Sequence, residues 1–215
     1  MSIVLAIMGE SGSGKTTSMR NLDPASTFYI DADKKGLSWR GWREQYNSEH
    51  KNYAKIDEPA KVKIWLEAIN SRDEYKHIKT IVVDTINGIM VAEDMRKSKE
   101  KGYDKWIDLA QNIYDIIDYA LVMRDDVRVV FVAHTQTDIT DSGYLFTHIK
   151  TSGRKLDKIC LESKFGTVLH SKVIDGKYVF ETQANFSTAK SPMGLFDSKH
   201  IDNDIVAVLN ALEEF

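Results

Sequence analysis

Cysteine is nearly missing from this chain: Cys160 is the single one among 215 residues, so no internal disulfide can form and no cysteine cluster can hold zinc. A reducing compartment is expected, with Cys160 as a small core residue. Proline is scarce too, with three in all, and no Pro/Gly/Ser-rich stretch marks an interdomain linker. One domain spanning residues 1–215 is therefore expected, because a hydrophobic content of 42% suffices for a sizeable core. No apolar run approaches the ~20 residues needed to cross a bilayer, and the basic flank and cleavage site of a secretory signal are missing. A cytoplasmic location without a membrane partner is the expectation. An excess of cations is also lacking. The net charge of −3 excludes a uniformly basic nucleic-acid binder while leaving room for local patches.

Glycine, by contrast, is concentrated near the start. Gly9-Glu10-Ser11-Gly12-Ser13-Gly14-Lys15-Thr16 fills every defining position of a glycine-rich phosphate loop and follows the apolar run Ile3–Met8. Glycines at these spacings let successive backbone N–H groups converge on one set of phosphate oxygens, and a helix starting near Lys15 would add its positive dipole end. In such a loop Lys15 reaches the β/γ-phosphates, the Thr16 hydroxyl ligates Mg²⁺, and Thr17 completes the nucleotide-binding set. The competing reading is a flexible Gly/Ser turn, which the preceding strand and the following Lys-Thr pair argue against.

Apolar β-rich runs alternate with helical patterns along the chain, the signature of a parallel sheet with crossover helices. The expected strands are Ile3–Met8, Thr27–Ile30, Thr80–Val83 and Arg128–Ala133, and the expected helices are Ala60–Asn70, Trp106–Met123 and Asn203–Leu212. Thr167–Val173 and Lys177–Glu181 flank Asp175-Gly176 and predict an antiparallel hairpin extending the sheet. The fold class expected is α/β, a single domain with a mainly parallel sheet flanked by helices.

Thr80-Ile-Val-Val-Asp84 would deliver a carboxylate to the edge of the sheet beside the phosphate loop, where Asp84 would hold the metal through water or Thr16. Helix capping is the other reading of Asp84. Thr85 follows in place of a glutamate, so a water-activating carboxylate must come from elsewhere. Asp31 and Asp33, two residues apart, project in the same sense if their strand continues, and either could orient the attacking water. Capping or pairing with Lys34-Lys35 competes with that role. The fourth strand ends in His134-Thr135-Gln136, where a polar side chain can report loss of a γ-phosphate; His134 leads by position and Gln136 follows.

Taken together, Gly9–Thr16, the Tyr-Ile-Asp-Ala-Asp string ending at Asp33, Ile81–Asp84 and the polar strand end at His134 resemble the RecA-like ATPase core, most closely the short phage ATP-binding proteins of the single-strand annealing and recombination type. The resemblance covers nearly the whole chain. It implies ATP as nucleotide with Mg²⁺, Asp33 as the water-orienting carboxylate, and His134 in a position more commonly held by glutamine. It implies a DNA-binding loop over Thr137–Lys155, and it likens Ala189–Phe196 to a segment that places a lysine, here Lys190, against a neighbouring subunit's nucleotide. The partners it implies are single-stranded DNA, further copies of the chain as an oligomer or filament, and a phage single-strand-binding protein; the compartment is a bacterial host's cytoplasm. The polymerisation segment that precedes the core in full recombinases has no counterpart here.

Local charge runs in the same direction. Lys150, Arg154, Lys155, Lys158 and Lys164 cluster over Lys150–Lys164, and Arg96–Lys105 carries five cations against Glu100 and Asp104. Tyr103, Trp106, Tyr144 and Phe146 supply stacking faces nearby. Solvated surface would look similar. The function expected is Mg²⁺-dependent ATP hydrolysis coupled to single-stranded DNA, with a nucleotide or small-molecule kinase and a nucleotide-gated interaction module as the alternatives.

Overall fold

The structure is a computed structural model that describes residues 2–100, 104–152 and 160–215. In chain order its first half runs β1 (Ile3–Gly9), β2 (Thr27–Asp31), α1 (Trp42–Gln45), β3 (Tyr53–Ala54), α2 (Pro59–Ser71), β4 (Thr80–Asp84) and α3 (Ile86–Arg96). Its second half runs α4 (Asp104–Leu121), β5 (Arg128–Ile139), β6 (Leu145–Ile149), β7 (Thr167–Ile174), β8 (Lys177–Glu181), β9 (His200–Asp202) and α5 (Ile205–Glu214). The sheet order is β3-β2-β4-β5-β1-β7-β8-β9, with β6 attached to β5. Pairing is parallel from β3 to β7 and antiparallel from β7 to β9.

Strand β1 lies between β5 and β7, and its apolar side chains are buried on both faces, as a central parallel strand requires. Val4, Ala6 and Met8 meet α2, α3 and α4 on one side. Leu5 and Ile7 join Met19, Leu22 and α5 on the other. Helix α2 opens on Pro59 at its first position, where the missing N–H costs nothing. Helix α3 is capped by Thr85, whose hydroxyl accepts from Gly88 N at 2.9 Å, and α5 by Asp204, whose carboxylate accepts from Val206 N at 3.0 Å.

Four sequence expectations need correction. The helix expected from Lys15 is only a 3-10 turn over Thr17–Met19, because the β-branched pair Thr16-Thr17 weakens helix and Pro24 forbids its continuation. The strand carrying Asp31 stops there, and the chain bends through Lys34 with φ 58° and Gly36 with φ 85°, so Asp31 and Asp33 do not share a face. Strand β5 does not end at His134 but runs on to Ile139 and folds back as β6, so much of the expected loop over Thr137–Lys155 is a β-hairpin. Cys160 is exposed, because the turn it introduces buries Leu161 and Glu162 instead. No helix among the described residues is long and apolar enough to cross a membrane.

Candidate functional site

The phosphate loop leaves β1 at the C-terminal edge of the sheet, where parallel strands deliver their functional groups. Its glycines are dictated by space and by backbone. A Cβ on Gly9 would lie 2.5 Å from Ser13 Oγ and 2.7 Å from the Ser171 carbonyl oxygen. Gly14 has φ +96°, and a Cβ there would meet the Tyr178 ring at 2.7 Å. Ser13 N donates to Glu10 O at 3.2 Å, and the Ser171 hydroxyl donates to Ser13 O at 2.6 Å, pinning the loop to β7. Glu10, Ser11 and Gly12 form the exposed rim. The turn behind the loop, Thr17–Met19, is too short to supply much of a helix dipole.

Lys15 is buried, and its ammonium donates to Gly9 O at 2.9 Å and Glu10 O at 2.7 Å. Burial lowers its pKa from 10.5 to about 8, against the attraction of Asp84. Thr16 Oγ1 donates to Asp84 Oδ2 at 2.7 Å, and the Tyr29 hydroxyl donates to the same oxygen at 2.7 Å. Asp84 Oδ1 is buried with no hydrogen-bond partner. Burial pushes the Asp84 carboxyl above its ordinary range, while the two hydroxyls pull it back. A buried carboxylate oxygen without a donor, beside a threonine hydroxyl, suits a hard divalent cation such as Mg²⁺, which takes one or two protein oxygens and fills its shell with phosphate and water. Thr16 and Asp84 would hold it. Among the described residues no cluster of three or more His, Cys, Asp or Glu side chains is arranged to hold a metal.

Asp33 lines the adjoining cavity with Asn87, Gly88 and His134, and His134 borders both that cavity and the phosphate-loop cleft. Asp33 Oδ1 accepts from Thr85 Oγ1 at 3.0 Å, and its Oδ2 lies 2.6 Å from Lys35 Nζ and 4.0 Å from His134 Nε2. Asp31 is buried elsewhere, accepting from Gly36 N at 2.8 Å and the Tyr53 hydroxyl at 2.6 Å; it stabilises the bend. Burial and the nearby Lys15 cation hold His134 below the ordinary 6.5, which leaves a neutral imidazole at pH 7. Lys15, Thr16, Thr17, Lys35, His134 and Tyr178 share the walls of one cleft of about 320 Å³. Gln136 points away, donating to Asp138.

Asn87, on the first turn of α3, accepts from His134 N at 2.7 Å and donates to Lys150 O at 2.7 Å. Lys150 is exposed beside the histidine strand, with its N–H donating to His134 O at 2.8 Å. Arg154, Lys155 and Lys158 lie outside the described residues, as does Tyr103. Arg96 and Lys97, from the second basic run, are engaged by Asp57, Glu93 and Asp108. Lys190 is tied through its backbone to Val168 at 2.8 Å in both directions.

Sequence reading passed over Tyr29, Asn87 and Tyr178, whereas the pairing it offered for Asp33 with Lys34-Lys35 is present as the Lys35–Asp33 contact. For Tyr29 a signal existed: it alternates with Phe28 and Ile30, and so shares a sheet face with the metal-side carboxylate once β2 and β4 pair. Asn87 and Tyr178 depend on long-range placement that no local pattern carries.

A model of the family described as AAA domain matches residues 1–190. No curated protein matches the chain. The matched stretch takes in the phosphate loop, the Asp84 strand and the His134 strand, and the chain belongs to the AAA domain family of P-loop ATPases.

Proposed function

We propose that this protein hydrolyses ATP with Mg²⁺ and couples its nucleotide state to single-stranded DNA in phage-type recombination or strand annealing. The observation that carries the first half is the Thr16–Asp84 hydrogen bond beside the buried Lys15, with Asp84 Oδ1 left without a protein donor. Bound there, Mg²⁺ would offset charge on the phosphate oxygens. In the reaction a water oxygen bonds to the γ-phosphorus as the bond to the β–γ bridging oxygen breaks, giving ADP and phosphate, and the water's proton is taken up by phosphate or solvent. Lys15 would stabilise charge as it develops, Asp33 would orient the water, and His134 would sense the phosphate.

For DNA, support comes from Lys150 and from the hairpin. Tyr144 and Phe186 stack with ring centroids 5.8 Å apart and are both exposed, as is Phe146, and such faces take successive bases. Arg154, Lys155 and Lys158 continue the same run in sequence. An oligomer or filament with Lys190 reaching a neighbour's nucleotide, a phage single-strand-binding protein as partner and the host cytoplasm as location complete the proposal.

Turnover measured alone and with single-stranded DNA, duplex DNA or RNA tests it. Stimulation by single-stranded DNA, with binding that weakens steeply as salt rises and loses slope in Arg154→Ala/Lys155→Ala, is the expected result. Transfer of phosphate to a nucleoside monophosphate would mark a kinase. Slow hydrolysis indifferent to every polymer would mark a nucleotide-gated interaction module.

A further inference from the structure

Two lysines line the nucleotide cleft, and the phosphate loop accounts for one of them. Lys15 is buried and fixed by two loop carbonyls. Lys35 is different: its side chain is 47% exposed, it stands on the bend between Lys34 and Gly36, and among the described residues it pairs with Asp33 Oδ2 alone, at 2.6 Å. Both ammonium groups feel Asp33 and Asp84, and they repel one another. Lys15, Lys35, Asp33 and Asp84 thus form a cluster whose formal charges cancel.

We infer that Lys35 is a triphosphate-operated latch, neutralising Asp33 until a γ-phosphate enters and then moving onto the phosphate to leave the carboxylate free. This rests on the ATP-hydrolysis reading above. An ion pair this exposed is weak and its lysine stem is flexible. A triphosphate brings several negative charges into the same cleft and outbids a single carboxylate for the cation. Asp33 does not follow Lys35, because Thr85 Oγ1 holds its other oxygen at 3.0 Å. The carboxylate also fits closely over α3: a Cβ on Gly88 would come within 2.4 Å of Asp33 Oδ1, so glycine at that position leaves Asp33 its place. Once Lys35 departs, Oδ2 is the free oxygen, with the neutral His134 ring 4.0 Å away. A diphosphate lacks the group that draws Lys35 over, so Asp33 stays covered after phosphate leaves.

The test is calorimetric titration of the full chain with Mg-ATP and Mg-ADP, together with steady-state hydrolysis, for wild type, Lys35→Ala and Lys35→Arg. Lys35→Ala is expected to weaken ATP binding about tenfold, and ADP binding much less, by losing one charge-assisted contact to the γ-phosphate. The same loss should raise KM more than it lowers kcat. Lys35→Arg should recover most of the ATP-over-ADP preference. A lysine that merely braces the bend would lower both affinities together, and that result overturns the latch. Wild-type protein that hydrolyses ATP while Lys35→Ala keeps the wild-type ATP/ADP ratio overturns the latch alone. Wild-type protein that binds neither nucleotide overturns the ATPase reading and the latch with it.

Discussion

The Tyr29 hydroxyl donates to Asp84 Oδ2 at 2.7 Å from the adjacent parallel strand. A tyrosine thereby shares with Thr16 the task of offsetting the burial that pushes the Asp84 carboxyl up. Tyr29→Phe should cost about 1–3 kcal/mol of stability, the usual penalty for stripping a donor from a buried acceptor, and thermal unfolding would reveal it. Asp84→Asn removes the charge itself. It should raise the Mg²⁺ concentration for half-maximal turnover by roughly an order of magnitude or more, as expected when one of few protein ligands loses its charge. An unchanged Mg²⁺ requirement would dissociate Asp84 from the metal.

Lys15 gives a pH signature. Its folded pKa of about 8 lies below the ordinary 10.5, so the unfolded chain binds more protons between these values. Stability contributed at this site therefore rises as pH climbs from about 8 toward 10.5, and the burial penalty is full below 8. Lys15→Met should abolish ATP turnover yet be more stable than wild type at pH 7, by up to about 3.5 kcal/mol for a pKa lowered from 10.5 to about 8 at 1.4 kcal/mol per pH unit, and so melt at a higher temperature. The gap should narrow by pH 10. A gap constant across that range would contradict the assignment.

The roles proposed for Asp33 and Asp31 give opposite expectations for the two carboxylates. Asp33→Asn should lower kcat by about 10²-fold, as expected when the group that positions the attacking water is altered, with ATP affinity largely kept. Asp31→Asn should leave kcat close to wild type and lower the melting temperature, because Gly36 N and the Tyr53 hydroxyl lose a charged acceptor. Reversed phenotypes would exchange the two roles.

Much of the scaffold was legible because burial on both faces imposes continuous apolar runs on β1, β4 and the first half of β5, and no other arrangement of such runs is as readily satisfied. The loop Gly9–Thr16 was legible for a related reason: its backbone conformation admits few residues. What escaped depends on partners distant in sequence. Strand β3 is two residues long and exists only through its pairing with β2. Helix α3 carries Gly88 and weak amphipathic patterning, so its capping by Thr85 was the sole local sign. The different surroundings of Asp31 and Asp33 follow from where the strand bends, which no local pattern marks. The pairing of Lys35 with Asp33 was legible two residues away, but its place in one cleft with Lys15 was not.

Lys190 is the most exacting of the proposed roles, since it requires a second subunit. Lys190→Ala subunits keep an intact phosphate loop, and Lys15→Ala subunits keep an intact Lys190. Mixing the two should restore part of the turnover that each lacks, and turnover per subunit of wild type should rise with concentration. Co-assembled mixtures that stay inactive would return Lys190 to the fold, where its backbone already completes a two-way bridge with Val168.

Asn87 grips the chain at two places sixteen residues apart, His134 N and Lys150 O, with opposite ends of one amide. Because an amide has a donor end and an acceptor end that cannot be exchanged without turning the group over, the grip has polarity: one jaw accepts only an N–H, the other only a carbonyl. The root of the hairpin is consequently keyed to α3 like a dovetail joint. A tilt of the hairpin root would strain both contacts or carry the first turn of α3 with it, and that turn begins at Thr85, whose hydroxyl donates to Asp33 Oδ1.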